Sequence, residues 1–211
     1  MTQAQQLAEG IRQMDLHVNA HAQQLLIQYL ALLQKWNKVY NLTAVRDPNQ
    51  MVTLHLLDSL SVLPYVRGPR VLDVGSGAGL PGIVLAICNP ALQVTTIDTV
   101  QKKAIFMRQV KGELGLENLS VVHARVEEYQ PEQLCEQIIS RAFSDIALFL
   151  RLTKHLMAEG GEWLAMKGLV PTQELVSLHL KPKAIQPLRV AGLDAERHLV
   201  IFDSCVLESK A

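Results

Sequence analysis

Residues 71–82 read Val71-Leu-Asp-Val-Gly-Ser-Gly-Ala-Gly-Leu-Pro-Gly82, an apolar run that ends in a cluster of glycines. A strand entering such a loop reaches Gly75, Gly77 and Gly79, residues without a Cβ that permit a sharp turn and let a ligand lie against the backbone. The helix that follows, read over Leu80 to Cys88, offers unpaired N–H groups at its start. This is a ligand cradle at the carboxyl end of a strand, where doubly wound α/β folds bind ligands. Taken alone, a glycine triplet slightly favours a plain structural turn. Gly77-Ala-Gly79-Leu-Pro-Gly82 also satisfies the dinucleotide pattern G-x-G-x-x-G, so the loop by itself leaves NAD open. Counted from the strand junction at Gly75, however, the third dinucleotide glycine falls at Leu80. Asp73 also places a carboxylate beside the cradle, which suits a cationic ligand better than a pyrophosphate.

Outward from the loop, Val94-Thr-Thr-Ile-Asp98 is a β-branched strand ending in an acid. Asp98 stands where a ribose-binding carboxylate is expected in either nucleotide class, the alternative being a cap on the next helix. Residues 102 to 114 read as that helix, and Leu119 to Ala124 as a third strand. Strand candidates follow at Gln137 to Ala142, Trp163 to Lys167, Ala184 to Val190 and His198 to Val206, with helices between the first three. With Arg70-Val-Leu-Asp-Val74 these make seven, and their alternation with helices predicts a doubly wound, mostly parallel seven-stranded α/β sheet. The last two lack an intervening helix, which predicts an antiparallel edge. Upstream, Leu25, Leu26, Tyr29, Leu32, Leu33 and Trp36 mark an amphipathic helix ending near Tyr40. A second starts at Asp47-Pro48 with Val52, Leu56, Leu60 and Leu63 on one stripe. The expected division is a helical segment over 1–66 packed on a ligand-binding domain over 67–211.

The chain has 211 residues, 49% of them hydrophobic and 19% charged, enough to bury one sizeable core. Twenty basic residues balance twenty acidic ones, so any nucleic-acid contact must use a local patch. The basic clusters are Lys102, Lys103, Arg108 and Lys111, then Lys181, Lys183, Arg189, Arg197 and His198, with Lys167 after the fifth strand. Cys88, Cys135 and Cys205 are far apart and form no metal-ligand spacing, so no metal site is expected and a reducing compartment fits. No basic leader precedes an apolar run, and no apolar stretch approaches a bilayer span. The expectation is a soluble, cytoplasmic monomer without membrane contact.

Together with Asp98 the glycine string resembles class I S-adenosylmethionine-dependent methyltransferases. Six further motifs extend the likeness: Trp36-Asn-Lys-Val-Tyr-Asn-Leu-Thr43, His55-Leu-Leu-Asp-Ser59, Val126-Glu127, Ile139-Ser-Arg-Ala-Phe143, Lys167-Gly168 and Glu196-Arg-His-Leu-Val200. The whole set resembles the ribosomal RNA small subunit methyltransferase G family, also called glucose-inhibited division protein B. The resemblance implies a Rossmann-like fold and methyl transfer from S-adenosyl-L-methionine, leaving S-adenosyl-L-homocysteine. The implied acceptor is N7 of the guanine at position 527, in the 530 loop of 16S ribosomal RNA in the small ribosomal subunit. It implies that Asp73, Gly75, Gly77, Gly79, Leu80, Asp98, Val126, Glu127 and Arg141 form the cofactor site or its immediate surroundings. Thr99 stands where a Ser is expected, and Ala78 where many relatives carry Pro.

The residues agree on chemistry. The fourth strand reads Ile138-Ile-Ser-Arg-Ala-Phe143, without the Asn/Asp-Pro-Pro-aromatic turn common for exocyclic amines and without a cysteine nucleophile for C5 methylation. Guanine N7 already carries an in-plane lone pair, so its methylation needs alignment rather than a base. Arg141 presents a planar fork of donors for guanine O6 or a phosphate, the structural alternative being an ion pair with Glu127 or Asp145. Lys167 suits RNA phosphate or an ordinary surface, and Asn41 suits RNA or a turn cap. His55, Asp58 and Ser59 share a helix face, where a His-Asp pair reads as a hydrogen-bonded brace, and their place in the family motif implies that they join the N-terminal helices to the cofactor domain. Two other classes remain at this point: an NAD-dependent oxidoreductase, and a non-catalytic RNA-binding or assembly module.

Overall fold

A computed structural model describes residues 1–141, 143 and 145–207. Its order begins α1 (Gln3–Gln13), α2 (Ala20–Tyr40) and α3 (Pro48–Met51), then a π-helical turn (Val52–Leu57) and α4 (Asp58–Leu60). There follow β1 (Arg70–Val74), α5 (Gly82–Cys88), β2 (Gln93–Asp98), α6 (Gln101–Leu114), β3 (Leu119–His123), β4 (Cys135–Ser140) and α7 (Ile146–Thr153). The chain continues with β5 (Met157–Lys167), α8 (Thr172–Ser177), β6 (Ala184–Pro187) and β7 (His198–Asp203).

The seven strands lie in the order β3-β2-β1-β4-β5-β7-β6. Pairs from β3 to β5 are parallel, and β7 runs antiparallel to both β5 and β6. The expected antiparallel edge is present, with β6 outermost and β7 inserted between it and β5. Returning through α8, the chain leaves a gap beside β5, and the loop after β6 brings β7 back into it without a crossover helix. β5 also begins six residues before the Trp163 start read from sequence, and Ala142 of the expected fourth strand lies outside the described residues.

Sequence signals explain the helix starts. Asp47 accepts from Asn49 N at 2.9 Å with Pro48 at the first helical position. Asp145 accepts from Leu148 N at 2.7 Å at the start of α7. Thr2 and Gln5 form a capping box on α1, a helix the periodicity analysis did not single out although T-x-x-Q announces it. Asn41 ends α2 in the left-handed conformation, φ 50°, and its Oδ1 accepts from Arg46.

Two apolar layers cover the sheet. Leu7, Leu26, Leu33, Val52, Leu56 and Leu60 join Val71, Ile83, Phe106 and Ile139 in one buried cluster, so the N-terminal helices share a core with one sheet face. Ile138, Ile146, Phe149, Trp163 and Phe202 fill the other. No helix among the described residues is long and apolar enough to cross a membrane, and none of their His, Cys, Asp and Glu groups could hold a metal ion.

Candidate functional site

β1 delivers the chain to a turn wound around Ser76. The Gly75 and Ser76 amides donate to Ile97 O, Ser76 Oγ donates to Asp73 O at 2.7 Å, and the Gly79 and Leu80 amides return to Ser76 O. Gly77 and Gly79 have φ of 61° and 94°, values that disfavour any side chain. Space adds a second constraint at Gly79, where a Cβ would stand 2.2 Å from Ile83 Cδ1. Tyr29, fully buried in α2, donates to Ala78 O at 2.8 Å and ties this turn to the N-terminal helices.

Asp73 departs from expectation. Its carboxylate is wholly buried under the loop, does not line the cleft, and accepts from Gly82 N at 2.8 Å. Burial pushes its pKa up to about 7. It braces α5 rather than facing the ligand directly, and its other oxygen is buried without a partner among the described residues. The consequence for the ligand stands, because the carboxylate occupies the Gly82 amide that a pyrophosphate at the helix start would need.

In front of the loop a cleft of about 380 Å³ is lined by Gly75, Ile97, Asp98, Lys103, Val126, Glu127, Phe143 and Leu152, among others. Asp98 holds the backbone on both sides of the turn, as the capping alternative has it. Oδ1 accepts from Val100 N at 2.8 Å and so shapes the turn into α6, while Oδ2 accepts from Gly77 N at 2.8 Å. Each carboxylate oxygen has a second lone pair, which leaves Asp98 able to accept from a ribose hydroxyl. Gly75 lines this cleft, whereas Gly77, Gly79 and Leu80 shape the turn behind it. Lys103, grouped with phosphate-binding residues in the sequence, stands 3.6 Å from Asp98 and belongs to this wall, while its neighbour Lys102 is exposed. Leu152 carried no sequence signal for a site, and Phe143 only its place in the motif Ile139-Ser-Arg-Ala-Phe143.

A second cleft, of about 430 Å³, is bounded by Val45, His55, Asp58, Arg141, Lys167 and Arg197. Arg141 lies on its wall and Phe143 lines the first, so each cleft takes a wall residue from just past β4. The predicted brace of Arg141 has a different partner. Asp145 caps α7, and Arg141 Nη1 instead meets Asp58 Oδ2 at 3.0 Å. The other oxygen of Asp58 accepts from Arg197 Nε at 2.9 Å, so one buried carboxylate joins two guanidinium groups from opposite parts of the chain. The π turn assists, since Asp58 N bonds to Thr53 O and skips Leu54 O, which accepts from Arg141 Nη1 at 3.1 Å.

Around this clamp, Lys167 Nζ donates to Phe143 O at 2.7 Å, and burial lowers its pKa. His198 Nδ1 lies 2.7 Å from Gly168 O. His55 Nε2 is 3.0 Å from Thr43 Oγ1, and burial, then Arg141, lowers its pKa to about 4, so the ring is neutral near pH 7. Of the three residues expected to join the N-terminal helices to the sheet, Asp58 does so through the two arginines, whereas His55 bonds to Thr43 within the N-terminal segment and Ser59 Oγ is buried without a partner among the described residues. Asn41 sits at the end of α2, away from both cleft walls.

The sequence model of the family described as rRNA small subunit methyltransferase G matches residues 22–200. A ribosomal RNA small subunit methyltransferase G of Methylobacillus flagellatus is 66% identical over 198 residues, 94% of this chain and 97% of the relative. One from Laribacter hongkongensis is 50% identical over 202 residues, 95% and 98% of the two chains. Among solved structures, a predicted O-methyltransferase of Agrobacterium tumefaciens superposes with a TM-score of 0.55 at 19% identity, covering 71% of this chain and 80% of that one. N-methyltransferase NodS of Bradyrhizobium japonicum, solved with S-adenosyl-L-homocysteine, gives 0.54 at 12% identity over 81% and 98%. At such identities the likeness concerns the fold, that of the Rossmann-like S-adenosylmethionine-dependent methyltransferases.

Proposed function

The chain belongs to the rRNA small subunit methyltransferase G family, and on that premise we propose that it methylates N7 of the guanine at position 527 in the 530 loop of 16S ribosomal RNA, acting as a monomer. The observation that carries this reading is a pair of clefts that each take a wall residue from just past β4, the first mainly apolar with Asp98 and Glu127 balanced by Lys103 and Arg125, the second with three cations, Arg141, Lys167 and Arg197, against Asp58.

The first cleft fits the donor. Asp98 keeps lone pairs that can accept from ribose hydroxyls, Ile97, Val126 and Leu152 offer an apolar face to an adenine, and Asp73, by holding the Gly82 amide, removes a donor that a pyrophosphate would need. When bound, S-adenosylmethionine supplies an electrophilic methyl group on a sulfonium. The protein's own contribution is geometric. Because N7 attacks through an in-plane lone pair, no residue has to remove a proton, and rate comes from holding the guanine in line. Arg141 is fixed by Asp58 and Leu54 on the wall of the second cleft, where its remaining donors suit guanine O6 or a phosphate. Lys167 and Arg197 give the second cleft an excess of positive charge over Asp58, matching an RNA strand.

The test is radiolabelled methyl transfer onto small subunits from cells lacking this activity, followed by nucleoside mass spectrometry. The expected product is 7-methylguanosine, formed at a single-turnover rate nearly flat from mildly acidic to mildly alkaline pH. A methyl group on an exocyclic amine, ribose or C5 would refute the acceptor. RNA binding without transfer would favour an assembly module instead.

A further inference from the structure

No Asp or Glu occurs between Asp15 and Asp47, and none between Asp98 and Glu113, in a chain whose acids and bases are otherwise balanced. The fold brings these two acid-free stretches together. Trp36 near the end of α2 packs on Phe106 of α6 with ring centroids 5.6 Å apart, and on Tyr40 at 5.1 Å. Around this contact the outward residues are Lys35, Lys38, Val39 and Tyr40 on α2 and Lys102, Ile105 and Arg108 on α6. Among the described residues, none of these four cations forms an ion pair, whereas Lys103, Arg141 and Arg197 all do.

An ordinary solvated helix face mixes signs and hides its large apolar groups. Here Val39 is 69% exposed, Tyr40 44% and Ile105 45%. Lysines and arginines around an exposed aromatic ring match a sugar-phosphate backbone with a base to stack. Along the chain this surface leads towards both clefts. Lys102 adjoins Lys103 on the wall of the first cleft, and the chain leaving α2 runs from Asn41 through Arg46, next to Val45 on the wall of the second.

We propose that the seam between the end of α2 and the start of α6 is a second RNA-docking surface, holding the strand that flanks the target guanine through Lys35, Lys38, Lys102 and Arg108, with Tyr40 stacking on a base. This rests on the RNA-methylating reading above. It assigns binding to residues outside both clefts, and makes the N-terminal helices part of RNA recognition as well as of the core.

The test uses the full-length protein with small-subunit RNA, titrated across a range of salt. Lys35→Gln with Lys38→Gln is expected to lower the slope of log affinity against log salt by about 1.4–1.8, and the affinity at moderate salt roughly tenfold. Tyr40→Ala is expected to weaken binding roughly fivefold or more with the slope unchanged. S-adenosylhomocysteine affinity should stay at the wild-type value in both; the melting temperature should hold in the lysine double variant and fall by a few degrees in Tyr40→Ala, which also removes the ring packed on Trp36. Wild-type affinity and slope in the lysine double variant, or lost affinity at an unchanged slope, would overturn the proposal. If the wild-type protein itself transfers no methyl group to small-subunit RNA, the functional reading fails. Transfer by wild type together with indifferent variants sinks the docking surface alone.

Discussion

Asp58→Asn tests whether the buried clamp organises the second cleft. The substitution keeps the shape of the side chain and removes its charge. Two charge-assisted bonds are affected, to Arg141 at 3.0 Å and to Arg197 at 2.9 Å. Bonds to charged groups contribute about 1.5–3 kcal/mol against about 0.5–1.5 for neutral ones, so the two together lose about 2–3 kcal/mol. Unbalanced guanidinium charge adds to this, but both arginine side chains keep about a quarter of their exposure, 28% and 26%, which holds the total near the lower end of the range for broken buried pairs. For a chain of this size about 2–4 kcal/mol corresponds to a melting temperature lower by about 5–15 °C. Asp58 does not line the first cleft, so S-adenosylhomocysteine affinity should persist while methyl transfer falls. Urea unfolding of wild type, Asp58→Asn, Arg197→Gln and the double variant closes a thermodynamic cycle, with a coupling of about 1–3 kcal/mol expected. Additivity within about 0.5 kcal/mol would show that the carboxylate and Arg197 merely stand near each other, and the clamp argument would fall.

Asp98→Ala should weaken S-adenosylhomocysteine binding by roughly tenfold to a hundredfold in calorimetry, since it removes the ribose acceptor and the anchor of Gly77 N; unchanged affinity would leave Asp98 a cap on the turn. Lys103→Ala should alter binding of this product more than RNA binding, because its ammonium stands at Asp98; the reverse pattern would return Lys103 to the RNA surface. Tyr29→Phe deletes the bond to Ala78 O and should cost about 1 kcal/mol in both unfolding and product affinity, with a loss of stability alone marking a purely structural bond. His55 adds stability that depends on pH: the unfolded imidazole titrates near 6.5 and the folded one near 4, so the unfolded chain binds more protons between these values. Its contribution is complete above 6.5 and declines on acidification towards 4 by up to about 3 kcal/mol. Asp73, raised from 3.8 to about 7, works in the opposite direction over the same range, so the informative quantity is the difference between wild type and His55→Gln; a pH-independent difference would contradict the burial argument.

What could be read from the sequence was what is local in the chain. The glycine turn, the acid ending β2 and the alternation of strands and helices depend on residues within a few positions of one another, and backbone sterics fix their meaning. The antiparallel strand was legible in kind but not in place. Strand order depends on which gap the returning chain can fill, and β7 carries the same apolar pattern whether it lies at the edge or one position in. Lys102 and Lys103 are identical in type, and helix phase separates them: Lys103 stands on the stripe of buried Phe106, Met107 and Val110 and reaches Asp98, while Lys102 faces outward with Ile105.

The largest gap concerns Asp58, whose charge finds partners at Arg141 and Arg197, in segments that meet only after the sheet has closed. Sequence pattern ranks a carboxylate by its neighbours, which is why Glu127 and Asp145 were the natural candidates for Arg141. Three-dimensional pairing follows a different rule: a carboxylate as buried as Asp58 must be balanced, and the cations that balance it are those that the sheet carries to the same end. β4 ends beside Arg141 and β7 begins beside Arg197, so the inserted strand that departs from the simple parallel pattern is also what brings the second arginine to the clamp. Topology and site therefore share one cause. A substitution that displaced β7 would disturb the second cleft before it touched the cofactor loop, which hangs on β1 and β2 at the other side of the sheet.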